Sequence, residues 1–438
     1  MSGPVREIVL TLSRQVASAL LQFATLLIIA RYLGPVGNGL YQMALYLPAL
    51  LLVVANPGLG AAIVYHVAKR RDDAAVLRAA LRIIGLAVLL GLVVGLFAVL
   101  FGADLLFAGV PRTLLWIGLA YFPVALAAAC AQAVLQGRED YRRYNAAIIA
   151  AQAVTLALVW WQLESGGSTR EALLCALAGA VVGLVLALWF VGSRWRLART
   201  DPTLTRGIFD YGSKAYGANL VAFVNYRLDL FIVNFYLGAL PTGIYVVAVR
   251  LGEYLWLLST AVSTIVFPRL SAPDLPAAER RSLILVSFRV TLLISALAGV
   301  CLAVIASPLV RLALGPAYAG VLQPLWILIP GIVLFGASRI VSNALAARGR
   351  PEINAWIATA ICAVNVAVSL WLVPRYGIAG AAMATSLCYA ADFLVKIVLI
   401  SRMEKVGAAG FLPGRADLQV LRQARRKAET VEPEPGNP

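Results

Sequence analysis

The sequence predicts an all-α polytopic membrane protein with about 12 transmembrane helices in two parallel six-helix lobes. Three observations support this fold class. The 438 residues are 61% hydrophobic, and the mean hydropathy is +0.85. Only 13% of the residues are charged, whereas a soluble protein carries about 25%. Apolar runs long enough to cross a bilayer recur along the chain, and parts of its first half recur in its second.

Each predicted span is an apolar run of at least about 20 residues, because a helix of that length crosses the hydrocarbon layer. In the first half of the chain, the runs fall near 8–30, 40–67, 79–101, 112–135, 144–163 and 171–192. In the second half they fall near 213–237, 242–268, 283–307, 318–347, 353–373 and 378–401. Prolines inside the spans remove backbone hydrogen bonds, so we expect kinks at Pro48, Pro57, Pro123, Pro324 and Pro330.

Basic residues are distributed unevenly between the loops. With the N-terminus inside, the inner segments and the tail carry 24 Lys and Arg residues. The outer loops carry five, which are Arg31, Arg112, Arg170, Arg311 and Arg375. The positive-inside rule therefore predicts that both termini are cytoplasmic and that Asn38 and Thr242 lie on the outer side. This topology also accounts for the net charge of +16, so we expect no nucleic-acid partner.

Two segments of the first half recur at the same places in the second half. LGPVGNGLY (33–41) follows the first span, and LGALPTGIY (237–245) follows the seventh at a shift of 204. LQGREDYRRYNAA (135–147) follows the fourth span, and AARGRPEINAWIA (346–358) follows the tenth, with Gly-Arg repeated at a shift of 212. We therefore expect parallel six-span repeats related by an axis along the membrane normal.

The repeats define the expected domains. Residues 1–192 form an N-terminal six-helix lobe, and residues 212–402 form a C-terminal six-helix lobe. Residues 193–211 form a basic, amphipathic cytoplasmic linker between them. Residues 403–438 form a polar tail that we expect to be disordered.

Four charged residues lie inside the seventh and eighth spans. A charge at mid-bilayer costs about 2.5–3.5 kcal/mol, so it normally faces a partner or a wet cavity. Counted from the outer helix ends, Asp229 and Arg250 both lie at a depth of about 12 Å, and Arg227 and Glu253 at about 15–17 Å. We therefore expect one network of these four charges between two adjacent helices. The network either pins the helices together or lines a transport cavity, and both interpretations stay open.

Several stretches together resemble the polysaccharide-transporter branch (O-antigen and exopolysaccharide flippases) of the multidrug/oligosaccharidyl-lipid/polysaccharide flippase superfamily. They are ARYLGPVGNGLY, GREDYRRYN, NYRLDLFIVNFYLGALPTGIYVVAVRLGEYL, FPRLS and PRYGIAGAAMATS. The resemblance covers residues 8–402 and implies a V-shaped bundle of two lobes around a central cavity, as in the related multidrug transporters. It also implies a flippase of the bacterial cytoplasmic membrane. By alternating access, that flippase would carry a polyprenyl-diphosphate-linked oligosaccharide, the precursor of a cell-surface polysaccharide, to the outer leaflet.

Such a cargo needs cations for its diphosphate and polar groups for its sugars. Arginine suits phosphate because its planar fork makes paired, charge-assisted hydrogen bonds. The substrate-binding candidates within the spans are Arg14, Arg227, Arg250 and Arg339. Asp229 and Glu253 are the candidates for a charge network or for ion coupling. The candidate sugar partners, which could equally bond between helices, are Gln15, Gln22, Asn56, Asn219 and Asn225.

The expected partners are the lipid-linked oligosaccharide, membrane lipids and envelope assembly proteins. We expect no cofactor, because no phosphate-binding loop is present, and no metal site, because the five cysteines lie in apolar runs without a CxxC pair. The main alternative is a cation-coupled multidrug antiporter of the same fold, for which buried acids should exceed buried bases. Two further alternatives are a polytopic enzyme acting on lipid-linked sugars and a non-transporting scaffold protein.

Overall fold

A computed structural model describes residues 3–70, 73–193, 202–272 and 274–411, and this part of the chain contains helices and no β-strand. The first half contains α1 (Gly3–Val54), α2 (Leu59–Arg70), α3 (Asp73–Leu100), α4 (Ala103–Leu106), α5 (Arg112–Gly137), α6 (Tyr141–Glu164) and α7 (Thr169–Val191). The second half contains α8 (Pro202–Leu237), α9 (Ala239–Glu253), α10 (Trp256–Leu270), α11 (Ala277–Leu309), α12 (Leu322–Ala347) and α13 (Pro351–Glu404).

Nine stretches of the described helices are long and apolar enough to cross a membrane. Two of these, in α1 and α13, are too long for a single crossing, because straight helices of 52 and 54 residues would extend for about 80 Å. Each is broken by a glycine with positive φ, Gly34 (φ 65°) in α1 and Gly377 (φ 60°) in α13. Counting both halves of these helices and adding α8 gives the twelve predicted crossings.

The expected all-α fold with two lobes is confirmed. In the first lobe, α7 packs against α5 and α6, and α1 packs against α6. In the second lobe, α12 packs against α11 and α13, while α8 packs against α13. The lobes meet where α1 packs on α9 and where α2 packs on α8.

Helix ends follow local sequence signals. At the start of α7, the backbone N–H of Ser168 donates to Glu171 Oε2 at 2.9 Å, while the Ser168 hydroxyl accepts from the N–H of Arg170 at 3.2 Å. At the start of α6, Asp140 Oδ1 accepts from the N–H of Arg143 at 3.1 Å. Within the second predicted span, helix α1 stops before Pro57 and α2 starts after Gly58 (φ 70°), so the predicted kink at Pro57 is a complete break.

The two repeats contact each other symmetrically. A methyl group added at Gly39 would lie 2.0 Å from the carbonyl oxygen of Ala239, and one added at Gly243 would lie 1.9 Å from that of Pro35. A shift of 204 residues exchanges the members of these two contacts. Such reciprocal contacts are what a two-fold axis between the repeats produces. Gly34 and Gly238, the repeat-related residue before α9, also share one backbone conformation, with ψ of −177° and −172°.

The end of the bundle at which Gly34, Gly238 and Gly377 lie is called the far end. The end at which α5 finishes at Gly137 and α12 finishes at Ala347 is called the basic end. At the far end the lobes are closed over the axis by the paired glycine contacts. Hydrogen bonds also cross there, from Asn38 Nδ2 to Gly243 O at 2.9 Å and from Asn234 Nδ2 to Ala108 O at 2.9 Å. Arg31 Nη1 adds a third, to Leu312 O at 3.1 Å.

The expected linker and tail are described only in part. Residues 202–211 of the expected linker form the first turns of α8. Residues 194–201 of that linker and residues 412–438 of the expected tail lie outside the described residues. The division into two lobes, a linker and a tail remains our proposal for the domains of the chain.

The orientation of the bundle in the membrane is a prediction from charge, and it is tested by labelling. Asn38 and Thr242 are fully buried, so they are unsuitable positions, whereas Ser165 at the far end and Ser271 at the basic end are exposed. In intact cells, an impermeant thiol reagent should modify a Ser165→Cys variant, and it should modify Ser271→Cys only after permeabilisation. The reverse pattern would overturn the orientation.

The glycine contact at the far end should control closure of that end. Gly39→Ala would force the Ala239 carbonyl away, at a cost of about 1–3 kcal/mol to the closed state. We expect about a tenfold faster thiol labelling of Thr242→Cys, which the closed far end buries. Gly60→Ala is the matched control, because a methyl group at Gly60 meets nothing within 4 Å. Equal acceleration in both variants would contradict a gate at Gly39.

Candidate functional site

A cavity of about 550 Å³ lies between the lobes on the basic side of the glycine contact. Helix α1 forms one wall, and α8, α9 and the start of α10 form the other. Along α1 it extends from Gln22 toward Arg14. Because a helix rises 1.5 Å per residue, Arg14 is about 30 Å from the break at Gly34, and Gln22 is about 18 Å from it. This cavity, called the central cavity, therefore extends toward the basic end.

Three charged side chains form a cluster on the wall of the second lobe. Arg227 Nη1 donates to Glu253 Oε1 at 2.7 Å, and Arg227 Nη2 approaches Glu253 Oε2 at 3.4 Å. Arg250 Nη1 donates to the same Glu253 Oε2 at 3.1 Å. The side chains of Arg227 and Glu253 are 18% and 14% exposed, and that of Arg250 is 33% exposed, so the cluster is reachable from the cavity. One carboxylate thus serves two arginines.

Arg14 contributes a third arginine from the opposite wall. Its guanidinium lies 5.6 Å from the centre of the Tyr144 ring, and its Nε is buried without a hydrogen-bond partner among the described residues. No described acidic side chain is paired with it. Together with Arg227, Arg250 and Glu253, it gives the residues lining the central cavity a formal charge of +2.

Asp229 does not belong to this cluster, so the predicted network of four charges is wrong in this respect. Asp229 Oδ2 accepts a hydrogen bond from the hydroxyl of Tyr245 at 2.8 Å and one from Thr385 at 3.5 Å. Its other oxygen accepts from the N–H of Leu230 at 2.8 Å. Arg227 and Asp229 are two residues apart, and on a helix such side chains do not face each other. Equal depth was therefore a poor guide to pairing with Arg250.

Arg339 is also separate from the central cavity, since it is not among the residues that line it. It lies within electrostatic range of Tyr226 and Lys396 in the second lobe. There Lys396 Nζ pairs with Asp392 Oδ1 at 2.8 Å, and the Ser338 hydroxyl donates to Asp392. The Lys396–Asp392 pair is buried and fits the structural role that a spacing of four residues on one helix allows.

The polar side chains that the sequence singled out have different positions. Gln15 and Gln22 line the central cavity. Asn56 instead accepts from the N–H of Leu59 at 2.8 Å and so caps α2. Asn225 Oδ1 is buried without a described partner. The side chain of Asn219 lies outside the described part of the chain.

Sequence reasoning missed the aromatic residues beside the charges. Tyr226, Tyr254 and Trp256 line the central cavity. Trp256 contacts Tyr226 at 5.6 Å between ring centres and Phe335 at the same distance. Tyr226 precedes Arg227, Tyr254 follows Glu253, and Trp256 lies three residues after Glu253, so the sequence could have indicated these aromatic residues. These rings lie on the same wall of the central cavity as the charged cluster.

Residues 5–272 match the family described as polysaccharide biosynthesis protein. The chain belongs to this family. Agl15, a probable low-salt glycan biosynthesis flippase of Haloferax volcanii, is 25% identical over 235 residues, which are 52% of this chain and 49% of that protein. YjeH of Escherichia coli, an L-methionine/branched-chain amino acid exporter, is 34% identical over 77 residues, which are 18% of each chain. The matches therefore span half or less of these relatives.

Solved structures share the whole fold. Lipid II flippase MurJ in an inward closed conformation aligns with a TM-score of 0.77 at 14% identity, covering 98% of this chain and 94% of that one. An inward-facing multidrug resistance MATE family transporter of the MOP superfamily aligns with a TM-score of 0.69 at 15% identity, covering 89% and 96%. At such identities the similarity establishes the fold, which is that of the superfamily the sequence resembles.

The shared carboxylate yields a test of which charges are coupled. Glu253→Gln removes the acid between two arginines, and breaking a buried pair costs about 3–5 kcal/mol. Because the cluster is partly open to the cavity, we expect a loss near the lower value. Adding Arg227→Gln should restore at least half of it, as measured by thermal unfolding of the purified protein in detergent.

The comparison pair is Asp229→Asn with Arg250→Gln, which share no contact and should act additively. Additivity in the Arg227 and Glu253 variants, or strong coupling in the comparison pair, would contradict this assignment.

Proposed function

We propose that this protein is a flippase that carries a polyprenyl-diphosphate-linked oligosaccharide across the membrane by alternating access. The central observation is that three arginines and a single glutamate line the central cavity. A diphosphate is the part of this cargo that needs concentrated positive charge, and arginine binds it through paired hydrogen bonds. The glycan biosynthesis flippase among the relatives and the family assignment support this cargo class.

Arg14 and Arg250 are the proposed diphosphate ligands. The two arginines come from opposite walls, so an anion between them contacts both lobes. Arg250 shares its carboxylate with Arg227, which holds the shorter bond to Glu253. Arg250 is therefore the arginine of the cluster that is more available to cargo, while Arg227 holds Glu253 in place. The position of Arg339 offers no support for its predicted role as a diphosphate ligand.

Glu253 and Asp229 have different proposed roles in coupling. Glu253 is reachable from the central cavity and bonded to two arginines. Anionic cargo at Arg250 would weaken the hold of that arginine on Glu253, so cargo and carboxylate compete for one cation. Asp229 is sealed among Tyr245, Thr385 and backbone. A coupling ion or proton would reach Asp229 only by displacing these groups.

The proposal includes location and partners. We propose a bacterial cytoplasmic membrane as its location, and the positive-inside bias supports an orientation with both termini in the cytoplasm. The central cavity then opens to the cytoplasm, where lipid-linked precursors are assembled. Envelope assembly proteins are included in the proposal as partners of this flippase. The family and the folds of its neighbours are those of transport proteins, which supports a non-enzymatic role.

A reconstituted flipping assay tests the proposal. Proteoliposomes contain fluorescent polyprenyl-diphosphate-linked oligosaccharide, and an impermeant quencher reports the fraction that changes leaflet. We expect Arg14→Gln and Arg250→Gln each to lower the rate at least tenfold, because a lost charge-assisted bond is worth about 1.5–3 kcal/mol. The control is Arg311→Gln, an exposed arginine at the far end, which should retain full activity.

The same vesicles test the antiporter alternative. A net positive cavity should disfavour organic cations, so no ion-driven uptake of a cationic dye is expected. Dye uptake without flipping, unaffected by Arg14→Gln, would refute the flippase and favour the antiporter.

A further inference from the structure

A second chamber lies inside the first lobe and opens into the central cavity. Its volume is about 330 Å³, and it is enclosed by α1, α5, α6 and α7. Gln22, Arg250 and Tyr254 line both spaces, so the two are continuous. Along α1 the chamber reaches from Gln22 to Ile29, which places it between the central cavity and the closed far end. We call it the N-lobe chamber.

The lining of the N-lobe chamber is polar without being charged. Apart from Arg250 at its mouth, the described residues that line it carry no charge. Its polar groups are the glutamines Gln22, Gln42 and Gln152, the hydroxyls of Thr25 and Thr155, and the phenols of Tyr41 and Tyr121.

The glutamine amides are not used in holding the described helices together. The Oε1 atom of Gln152 is buried without a hydrogen-bond partner among the described residues. Gln22 and Gln42 likewise make no side-chain hydrogen bond within the described part of the chain. A buried amide without a partner costs free energy unless water or a ligand satisfies it. The buried Oε1 of Gln152 therefore indicates a polar occupant, and the partly buried Gln42 and the exposed Gln22 offer their amides to the same space.

Among the described residues, the second lobe differs from the first at positions equivalent to this lining. At a shift of 204, Gln42 corresponds to Val246 and Leu45 to Val249. Thr25 corresponds to Asp229, whose carboxylate is sealed by Tyr245. In the second repeat the polar groups of this face are thus hydrogen-bonded to one another, whereas in the first repeat the oxygen of Gln152 is left without a described partner. Because the two repeats have similar backbones, helix packing alone does not require glutamines on this face. The glutamines of the first lobe therefore need another explanation.

We infer that the N-lobe chamber binds neutral sugar rings of the cargo, an inference that rests on the proposed function. Amides and hydroxyls exchange hydrogen bonds with sugar hydroxyls, and phenol rings such as those of Tyr41 and Tyr121 pack against the apolar faces of sugars. The volume lies near the lower limit of small-molecule pockets, about 300–1,000 Å³, so it accepts one or two rings. Its opening beside Arg250 places those rings next to the diphosphate.

The test compares two probes on the purified protein in lipid nanodiscs. The first is polyprenyl diphosphate, and the second is polyprenyl diphosphate carrying the oligosaccharide, extracted from the source cells. Binding is followed by thermal stabilisation. We expect the sugars to tighten binding by about tenfold or more, since each net hydrogen bond is worth about 0.5–1.5 kcal/mol. The variant Gln42→Leu with Gln152→Leu should lose that increment and bind the sugar-free lipid as the unsubstituted protein does.

Two further variants make the result interpretable. Gln136→Leu applies the same substitution to an exposed glutamine at the end of α5, and it should keep the increment. If the double variant fails to fold, the nearly isosteric Thr155→Val should still reduce the increment. Equal affinity of the unsubstituted protein for both probes, or an unchanged increment in the chamber variants, would overturn the inference while leaving the flippase intact. If neither probe binds and Arg14→Gln leaves the flipping rate unchanged, the proposed function would instead be overturned.

Discussion

The carboxylate of Glu253 is the interaction on which the central cavity depends. Arginines at this depth are expensive in a membrane unless they are paired or hydrated. Glu253 lies 2.7 Å from Arg227 and 3.1 Å from Arg250, and so holds two helices of the second lobe in one arrangement. One acid for two bases leaves a surplus of positive charge that a pairwise-neutral network would not have. The cluster is therefore both a structural joint and the source of the electrostatic field in the cavity.

The two repeats combine a symmetric interface with asymmetric contents. Backbone approaches at Gly39 and Gly243 are equivalent, and they require glycine because any side chain would meet a carbonyl oxygen. In contrast, Arg227 corresponds to Phe23 and Arg250 to Tyr46 at the shift of 204. Symmetry at the far end preserves the contact that joins the lobes. On the basic side of this contact the repeats differ, so that the second lobe carries the fixed charges and the first lobe carries the uncharged polar chamber.

The sequence was sufficient for the fold and insufficient for the pairing of its charges. Apolar length and the repeated LG…GxY segments depend on local chain properties, so they could be read directly. Which carboxylate meets which arginine depends on helix rotation, and depth alone does not report rotation. Asp229 and Arg250 matched in depth yet face different partners. Gln42 and Gln152 were not singled out, because a single glutamine in an apolar run has no signature until distant helices converge.

Under the proposed function, the placement of arginines on both walls would connect cargo binding to movement of the lobes. Arg14 belongs to the first lobe, while Arg250 belongs to the second. In the proposed transport cycle, a diphosphate held by both arginines would link the two lobes. At the far end, the described residues join the lobes through backbone packing and through hydrogen bonds that include those of Arg31, Asn38 and Asn234. Net hydrogen bonds are worth only about 0.5–1.5 kcal/mol each, so each of these bonds adds little to the cost of opening the far end. A ligand shifts a conformational equilibrium only through its differential affinity for the two states, and arginines on opposite lobes are a source of that difference.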